Sequence, residues 1–332
     1  MADYKGTATN QAKGPVTIGA VKKIAVVGGG TMGHGCAQVF AAAGYDVVLQ
    51  SRKETTLAKA FEAMRADLSF LAERGVGDPA DVERIVARVR PTQSMEEAVS
   101  EADFVLECVY EDMALKQELF EKIDQMVRPQ AVLATNTSVM SITEIASKAE
   151  GRHRIVGTHW WNPPYLIPLV EVVRTEESDD RAIELTMDLM RRIGKHPVLV
   201  KRDVPGFVAN RLQHALWREA ISIVERGIAD AATVDESIKY GFGMRLPVLA
   251  PLETADMGGL DMTLAIHSYV LKFLEDSHEP SPLLREKVAK GELGFKAGGT
   301  GFQNWTPEQM RATRERLLEY LARVAASAAG GE

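Results

Sequence analysis

The residues of this chain best suited to moving a proton are His159 and Glu171. His159 closes an apolar, strand-like run, and Glu171 lies inside the next one, between Val170 and Val172. A carboxylate in such a setting needs a partner, because a lone buried charge is expensive. An imidazole is the natural one. The carboxylate fixes its tautomer and stabilises the imidazolium, which makes a good general base, a role worth about 10²–10⁴-fold in rate. Spacing alone leaves a purely structural His–Glu hydrogen bond equally open. The connection, Trp160-Trp161-Asn162-Pro163-Pro164-Tyr165-Leu166-Ile167-Pro168, is stiffened by its prolines and tryptophans. Trp160 and Trp161 either narrow a pocket or serve as core or interface residues.

A second constellation is Gly28-Gly29-Gly30-Thr31-Met32-Gly33, which follows the apolar stretch Ile24-Ala25-Val26-Val27 and opens a helical pattern. This is the Gly-x-Gly-x-x-Gly spacing of a dinucleotide-binding turn. Its glycines serve a tight turn, close backbone approach to a pyrophosphate, and helix–strand packing. The free N–H groups and dipole at the start of the helix favour the negative charge.

The next strand, Asp46-Val47-Val48-Leu49-Gln50, leads into Ser51-Arg52-Lys53. NAD-preferring folds carry an acid there to hold the ribose 2′-hydroxyl. Here two cations stand in its place. Arg52 can grip a 2′-phosphate with both prongs, and Ser51 adds a donor. Hydrogen bonds to charged groups are worth about 1.5–3 kcal/mol, roughly ten- to a hundredfold in preference. The sequence therefore favours NADP over NAD, with solvated surface positions for Arg52 and Lys53 as the plain alternative.

The elements that must position these groups follow from the pattern. Strands are expected at 23–27, 46–50, 103–108, 131–135, 154–158, 169–173 and 197–201, alternating with helices at 31–44, 54–75, 79–88, 113–127 and 180–193. Apolar strands alternating with helices imply an α/β fold, a doubly wound Rossmann-type sheet covered on both faces. After Asp203-Val204-Pro205-Gly206, a turn and hinge signal, the stripe Val208, Leu212, Leu216, Ala220, Val224 marks a long helix. Further helices are expected at 233–240, 252–275, 282–289 and 307–323, making a second, all-helical domain. The expected division is a disordered leader at 1–20, a dinucleotide-binding domain at 21–202, a helical substrate and dimerisation domain at 203–324 and a frayed tail at 325–332.

Composition narrows the classes. The 332 residues are 45% hydrophobic and 26% charged, enough for a core. A net charge of −7 argues against nucleic acid or an anionic membrane as partner. No apolar run reaches the length of about 18 residues for a membrane span, and the N-terminal stretch lacks the apolar core of a secretory signal. Cys36 and Cys108 read as buried reduced thiols rather than a disulfide or metal site, so no metal and a cytoplasmic location are expected.

Taken together, GGGTMG (28–33), ECVYEDMALK (107–116), NTS (136–138), GTHWWNPPYLIPLVEV (157–172), DVPGFVANRL (203–212) and GFKAGGTGF (294–302) resemble the 3-hydroxyacyl-CoA dehydrogenase family across about residues 22–305. The resemblance implies oxidation of an L-3-hydroxyacyl group to the 3-keto form with hydride passed to a nicotinamide. It implies His159 as base, Glu171 as its support, Ser138 and Asn210 on the substrate oxygen, Glu111 and Lys116 on the nicotinamide side, and a homodimer. The position of Asn136-Thr137-Ser138 fits this independently, since the run follows the apolar strand at 131–135, the edge at which open α/β sheets place ligands. Ser138 as a helix cap, Asn210 as a partner of backbone groups and Lys116 as a solvated residue remain the structural alternatives.

Two further departures from the fatty-acyl pattern bear on substrate. Fatty-acyl members place CoA contacts on the helix at 54–75, yet here Lys53, Lys59, Arg65 and Arg74 are balanced by Glu54, Glu62, Asp67 and Glu73, not a surface for CoA phosphates. The segments at 161–169, 210–213, 243–245 and 251–254 resemble the branch acting on free hydroxy acids, the L-gulonate, carnitine and pyridine-carboxylate dehydrogenases. There Arg245 would pair with a substrate carboxylate, or else make a structural ion pair. The expectation is an NAD(P)-dependent dehydrogenase of a small 3-hydroxyacyl compound, with a free 3-hydroxy carboxylic acid in place of the CoA thioester as the alternative. A non-catalytic nucleotide-binding or structural protein and an imine reductase are the rivals.

Overall fold

The computed structural model describes residues 21–330, with side chains described for 21–327; the expected leader lies outside them. The chain divides into two units, one ending at Val208 and rejoined by the segment from Leu321, the other running from Ala209 to Tyr320.

The first unit is built on eight strands: β1 (Lys23–Val27), β2 (Asp46–Gln50), β3 (Val89–Thr92), β4 (Phe104–Glu107), β5 (Val132–Thr135), β6 (Ile155–Trp160), β7 (Leu169–Val173) and β8 (His196–Val200). They form one sheet in the order β3-β2-β1-β4-β5-β6-β7-β8. Every neighbouring pair is parallel except β6 and β7. Helices α1 (Thr31–Ala42), α2 (Glu54–Ala72), α3 (Val82–Val86), α4 (Met95–Val99), α5 (Met113–Met126), α6 (Ile142–Ile145) and α7 (Asp180–Arg192) supply the connections. Strands buried on both sides read as continuous apolar runs, and β4 and β5 are buried at every position. One core gathers Phe40, Met64, Leu106, Val156 and Trp160; the other gathers Phe120, Leu133, Ile142 and Phe207. This is the doubly wound Rossmann-type sheet that the alternation implies.

The sequence reading omits β3. Its Val-Arg-Pro-Thr includes Pro91, and proline sits at sheet edges, where its missing N–H costs no ladder bond; β3 is one of the sheet's two edge strands.

The second unit is helical: α8 (Ala209–Glu225), α9 (Ala231–Tyr240), α10 (Pro251–Gly258), α11 (Leu260–Val270), α12 (Pro282–Ala289) and most of α13 (Pro307–Gly330). Two expectations need correction here. The single helix expected at 252–275 is broken at Gly259, whose φ of 95° a helix cannot hold. The tail expected to fray from 325 continues α13 as far as Gly330, in keeping with the high helix propensity of its alanines. No helix among the described residues is long and apolar enough to cross a membrane.

Candidate active site

The glycine turn comes first along the chain. Gly28 has a φ of 108° and lies so close to the end of β4 that a Cβ there would stand 2.6 Å from the Cys108 carbonyl oxygen. A Cβ on Gly33 would stand 1.7 Å from the Gly28 oxygen. At Gly30, by contrast, an added Cβ meets nothing within 4 Å. The turn is closed from beneath and open from above, the shape a pyrophosphate needs to reach the backbone. Thr31, exposed, and Met32, half-buried, begin α1, whose cap Gly30 offers no side-chain partner to the first N–H groups. These residues fit a dinucleotide. Ser51 follows β2, half-buried, and its N–H donates to the Thr92 carbonyl at 3.1 Å. Arg52 and Lys53 are exposed and make no ion pair among the described residues.

Beside the turn, β4 ends in a fully buried carboxylate. Glu107 Oε1 accepts from Lys116 Nζ at 2.7 Å and from the Val109 N–H at 2.6 Å. Its Oε2 accepts from Lys116 Nζ at 2.8 Å and from Thr135 Oγ1 at 2.7 Å. Lys116, 1% exposed, also lies 3.4 Å from Glu111. Glu111 in turn accepts from the Ser138 N–H at 2.6 Å and from Thr137 Oγ1 at 3.0 Å. The run 136–138 is thereby fastened to the loop after β4. Sequence reasoning missed Glu107, although a lone acid ending an apolar strand is the same signal that drew attention to Glu171.

His159 and Glu171 face each other directly. In the antiparallel pairing of β6 with β7 they occupy opposed positions in the register, so their side chains share one face of the sheet. His159 Nδ1 lies 2.8 Å from Glu171 Oε2, with both side chains buried. Glu171 Oε1 also accepts from the Val208 N–H at 2.9 Å. The imidazole is flanked by Trp161 and Phe207, with ring centroids at 5.2 and 5.7 Å. Phe207 has a φ of 49°, a strained value for a residue with a Cβ; the turn expected to act as a hinge thus also walls the imidazole. With Nδ1 spent on the carboxylate, Nε2 has no hydrogen-bond partner among the described residues. The two groups of residues are linked through Asn136, whose Oδ1 accepts from the Trp160 N–H at 2.9 Å.

The remaining predicted residues fall as follows. Trp160 is core, 3% exposed and packed on Phe40 with centroids 5.7 Å apart. Asn210 is buried in the first turn of α8. Arg245 is exposed after α9 and makes no ion pair among the described residues; both belong to the second unit. Cys36 and Cys108 are free. Contact with Cys36 and burial push the Cys108 thiol well up, away from the thiolate a nucleophile needs. No group of three or more potential metal ligands occurs among the described residues.

The profile of the 3-hydroxyacyl-CoA dehydrogenase NAD-binding domain matches residues 23–204, and that of its C-terminal domain matches 206–305. The chain belongs to the 3-hydroxyacyl-CoA dehydrogenase family. It is an oxidoreductase acting on CH–OH groups with a nicotinamide dinucleotide. Among its relatives is the 5-formyl-3-hydroxy-2-methylpyridine 4-carboxylate 5-dehydrogenase of Mesorhizobium japonicum, 34% identical over 92% of this chain and 98% of that protein. A probable 3-hydroxybutyryl-CoA dehydrogenase of Bacillus subtilis is 38% identical over 86% of this chain and 98% of that protein. A crystal structure of a 5-formyl-3-hydroxy-2-methylpyridine 4-carboxylic acid 5-dehydrogenase, described as an NAD+-dependent dismutase, superposes with a TM-score of 0.86 at 33% identity, covering 94% of this chain and all of that one.

Proposed function

We propose that this dehydrogenase interconverts an L-3-hydroxyacyl compound and its 3-keto form, with His159 as the general base. The observation that carries the reading is the opposed placement of His159 and Glu171, with Nδ1 engaged and Nε2 left to face a substrate hydroxyl. Nε2 takes the hydroxyl proton, and the Glu171 carboxylate, steadied by the Val208 N–H, stabilises the imidazolium that results. Ser138 and Asn210 hold the substrate oxygen, while Glu111, seated by Lys116, and Asn136 border the nicotinamide end. When bound, the dinucleotide supplies the hydride acceptor in one direction and the donor in the other. Gly28, Gly30, Thr31, Met32 and Gly33 would hold its pyrophosphate, and Ser51, Arg52 and Lys53 its adenosine ribose.

Two finer readings belong to this proposal. The first is a free hydroxy carboxylic acid as substrate. The likeness to a pyridine-carboxylate dehydrogenase over 92% of the chain supports it, as does an exposed Arg245, without an ion pair among the described residues and suited to a carboxylate. The second is a preference for NADP, resting on Ser51 and Arg52 where an acid would exclude a 2′-phosphate. The names of the relatives carry only NAD, so the preference rests on these residues alone. Reduction of acetoacetate and acetoacetyl-CoA, each with NADH and NADPH, tests both. Arg52→Ala is expected to cost about tenfold in kcat/KM with NADPH and little with NADH; equal effects on the two would end the NADP reading. Exposed Leu252, Leu264 and Tyr269 on α10 and α11 support a homodimer through the helical unit, which light scattering would reveal as twice the chain mass.

A further inference from the structure

Outside the site just described, three polar side chains from three elements form one line of contacts. Tyr165, in the loop between β6 and β7, donates its hydroxyl to Asp67 Oδ1 at 2.9 Å. Asp67 stands on α2, and its Oδ2 lies 3.3 Å from His34 Nε2. His34 stands in α1, and its Nδ1 lies 3.0 Å from the carbonyl oxygen of Gly30, in the middle of the glycine turn. The side chains of His34 and Asp67 are 14% and 21% exposed. Burial, and then the Asp67 carboxylate, push the Tyr165 phenol far above its ordinary range, so the hydroxyl stays a donor. α2 does not need this line for its seat, since Leu57, Ala60, Met64, Leu68 and Leu71 bury its apolar face. A line of polar contacts surplus to packing calls for another purpose.

The loop that Tyr165 anchors is the one that returns from His159 to Glu171. It lies flush on α1, where a Cβ at Gly35 would meet Pro164 Cγ at 2.5 Å. From the other side, Lys195 Nζ donates to the Ile167 carbonyl at 3.0 Å and to the Pro164 carbonyl. Three prolines deny it internal freedom. A displacement at Tyr165 is therefore carried to the start of the loop, where Trp161 rests against the His159 ring.

We propose that Asp67 is a positioning residue, holding through Tyr165 the loop that backs His159 and through His34 the turn that receives the pyrophosphate. This rests on the dehydrogenase reading above. Occupancy of the turn then steadies the loop, and by linkage the loop's position alters cofactor affinity in the same ratio.

Hydrogen–deuterium exchange of peptides covering residues 160–168, with and without saturating NADH or NADPH, reads this without any substrate. Cofactor affinity is measured in parallel by fluorescence titration. In the wild-type protein the cofactor should slow exchange in the loop at least threefold. Tyr165→Phe should abolish that response while keeping the cofactor Kd within about threefold. Asp67→Ala should abolish it too, whereas Asp67→Asn, which keeps an acceptor for the tyrosine, should retain most of it. A merely structural role would lower the melting temperature of the variants and leave the response in place. A bound cofactor with no loop response in the wild type, or a full response in Tyr165→Phe, overturns the proposal. Absence of cofactor binding in the wild type would remove the dehydrogenase reading and this one with it, and the titration separates that result from the others.

Discussion

Two buried acid–base pairs stand in the same sheet, one at the end of β4 and one across β6 and β7, and they differ in what each leaves over. Lys116 and Glu107 spend their capacity on each other and on Val109, Thr135 and Glu111. His159 and Glu171 are as deeply buried, yet the imidazole keeps a nitrogen unspent. A buried charge pair with every donor and acceptor occupied holds its surroundings in place. A pair that is half occupied can take a proton from something else. Burial alone does not tell the two apart; the count of hydrogen bonds does.

The sharpest way to break this contrast is to remove the nitrogen partner of each carboxylate in turn. His159→Ala should cost about 10²–10⁴-fold in kcat while cofactor affinity barely changes, with some loss of stability because Glu171 loses its buried partner. Steady-state rates within tenfold of wild type would take His159 out of its role. Lys116→Met should act first on stability, lowering it by about 3–5 kcal/mol in a urea melt because Glu107 is left charged without its buried cation. Pairing that change with Glu107→Leu should recover most of the loss, since well-packed apolar replacements of buried ion pairs are often neutral.

Glu171→Gln lies between these extremes. It keeps a hydrogen bond to the ring and loses the charge that favours the imidazolium, so kcat should fall about ten- to a hundredfold. The smallest effect concerns Lys195, which burial lowers to about 8. Its ammonium is disfavoured in the folded state, so the native protein binds fewer protons than the unfolded chain between about pH 8 and pH 10.5. Over that window the Lys195 contribution should make stability rise with pH. Lys195→Met should lack that contribution, and a constant wild-type–variant difference from pH 7.5 to 10 would contradict the assignment.

Much of this was legible in the residues. The glycine turn, β1, β2 and β7 lie where spacing and apolar runs place them, and so does the isolated acid at 171. What escaped was local and short. β3 hides behind a proline, α4 spans too few residues to show a period, and Gly259 interrupts a stretch with helical patterning on both sides. Glu107 escaped although it carries the same signal as Glu171. Asp67, His34 and Tyr165 could not have been joined from sequence, because polar contacts among three separate elements have no linear signature.

The sequence by itself determined which residues are able to do chemistry here: turn glycines that admit a backbone close to phosphate, an imidazole, and a carboxylate too apolar in its surroundings to stand alone. Only the tertiary structure decided that the last two meet. β7 runs against β6 in a sheet otherwise parallel, and that reversal sets Glu171 opposite His159. Strand direction depends on how the whole sheet buries its two faces. No residue type near positions 159 or 171 encodes it.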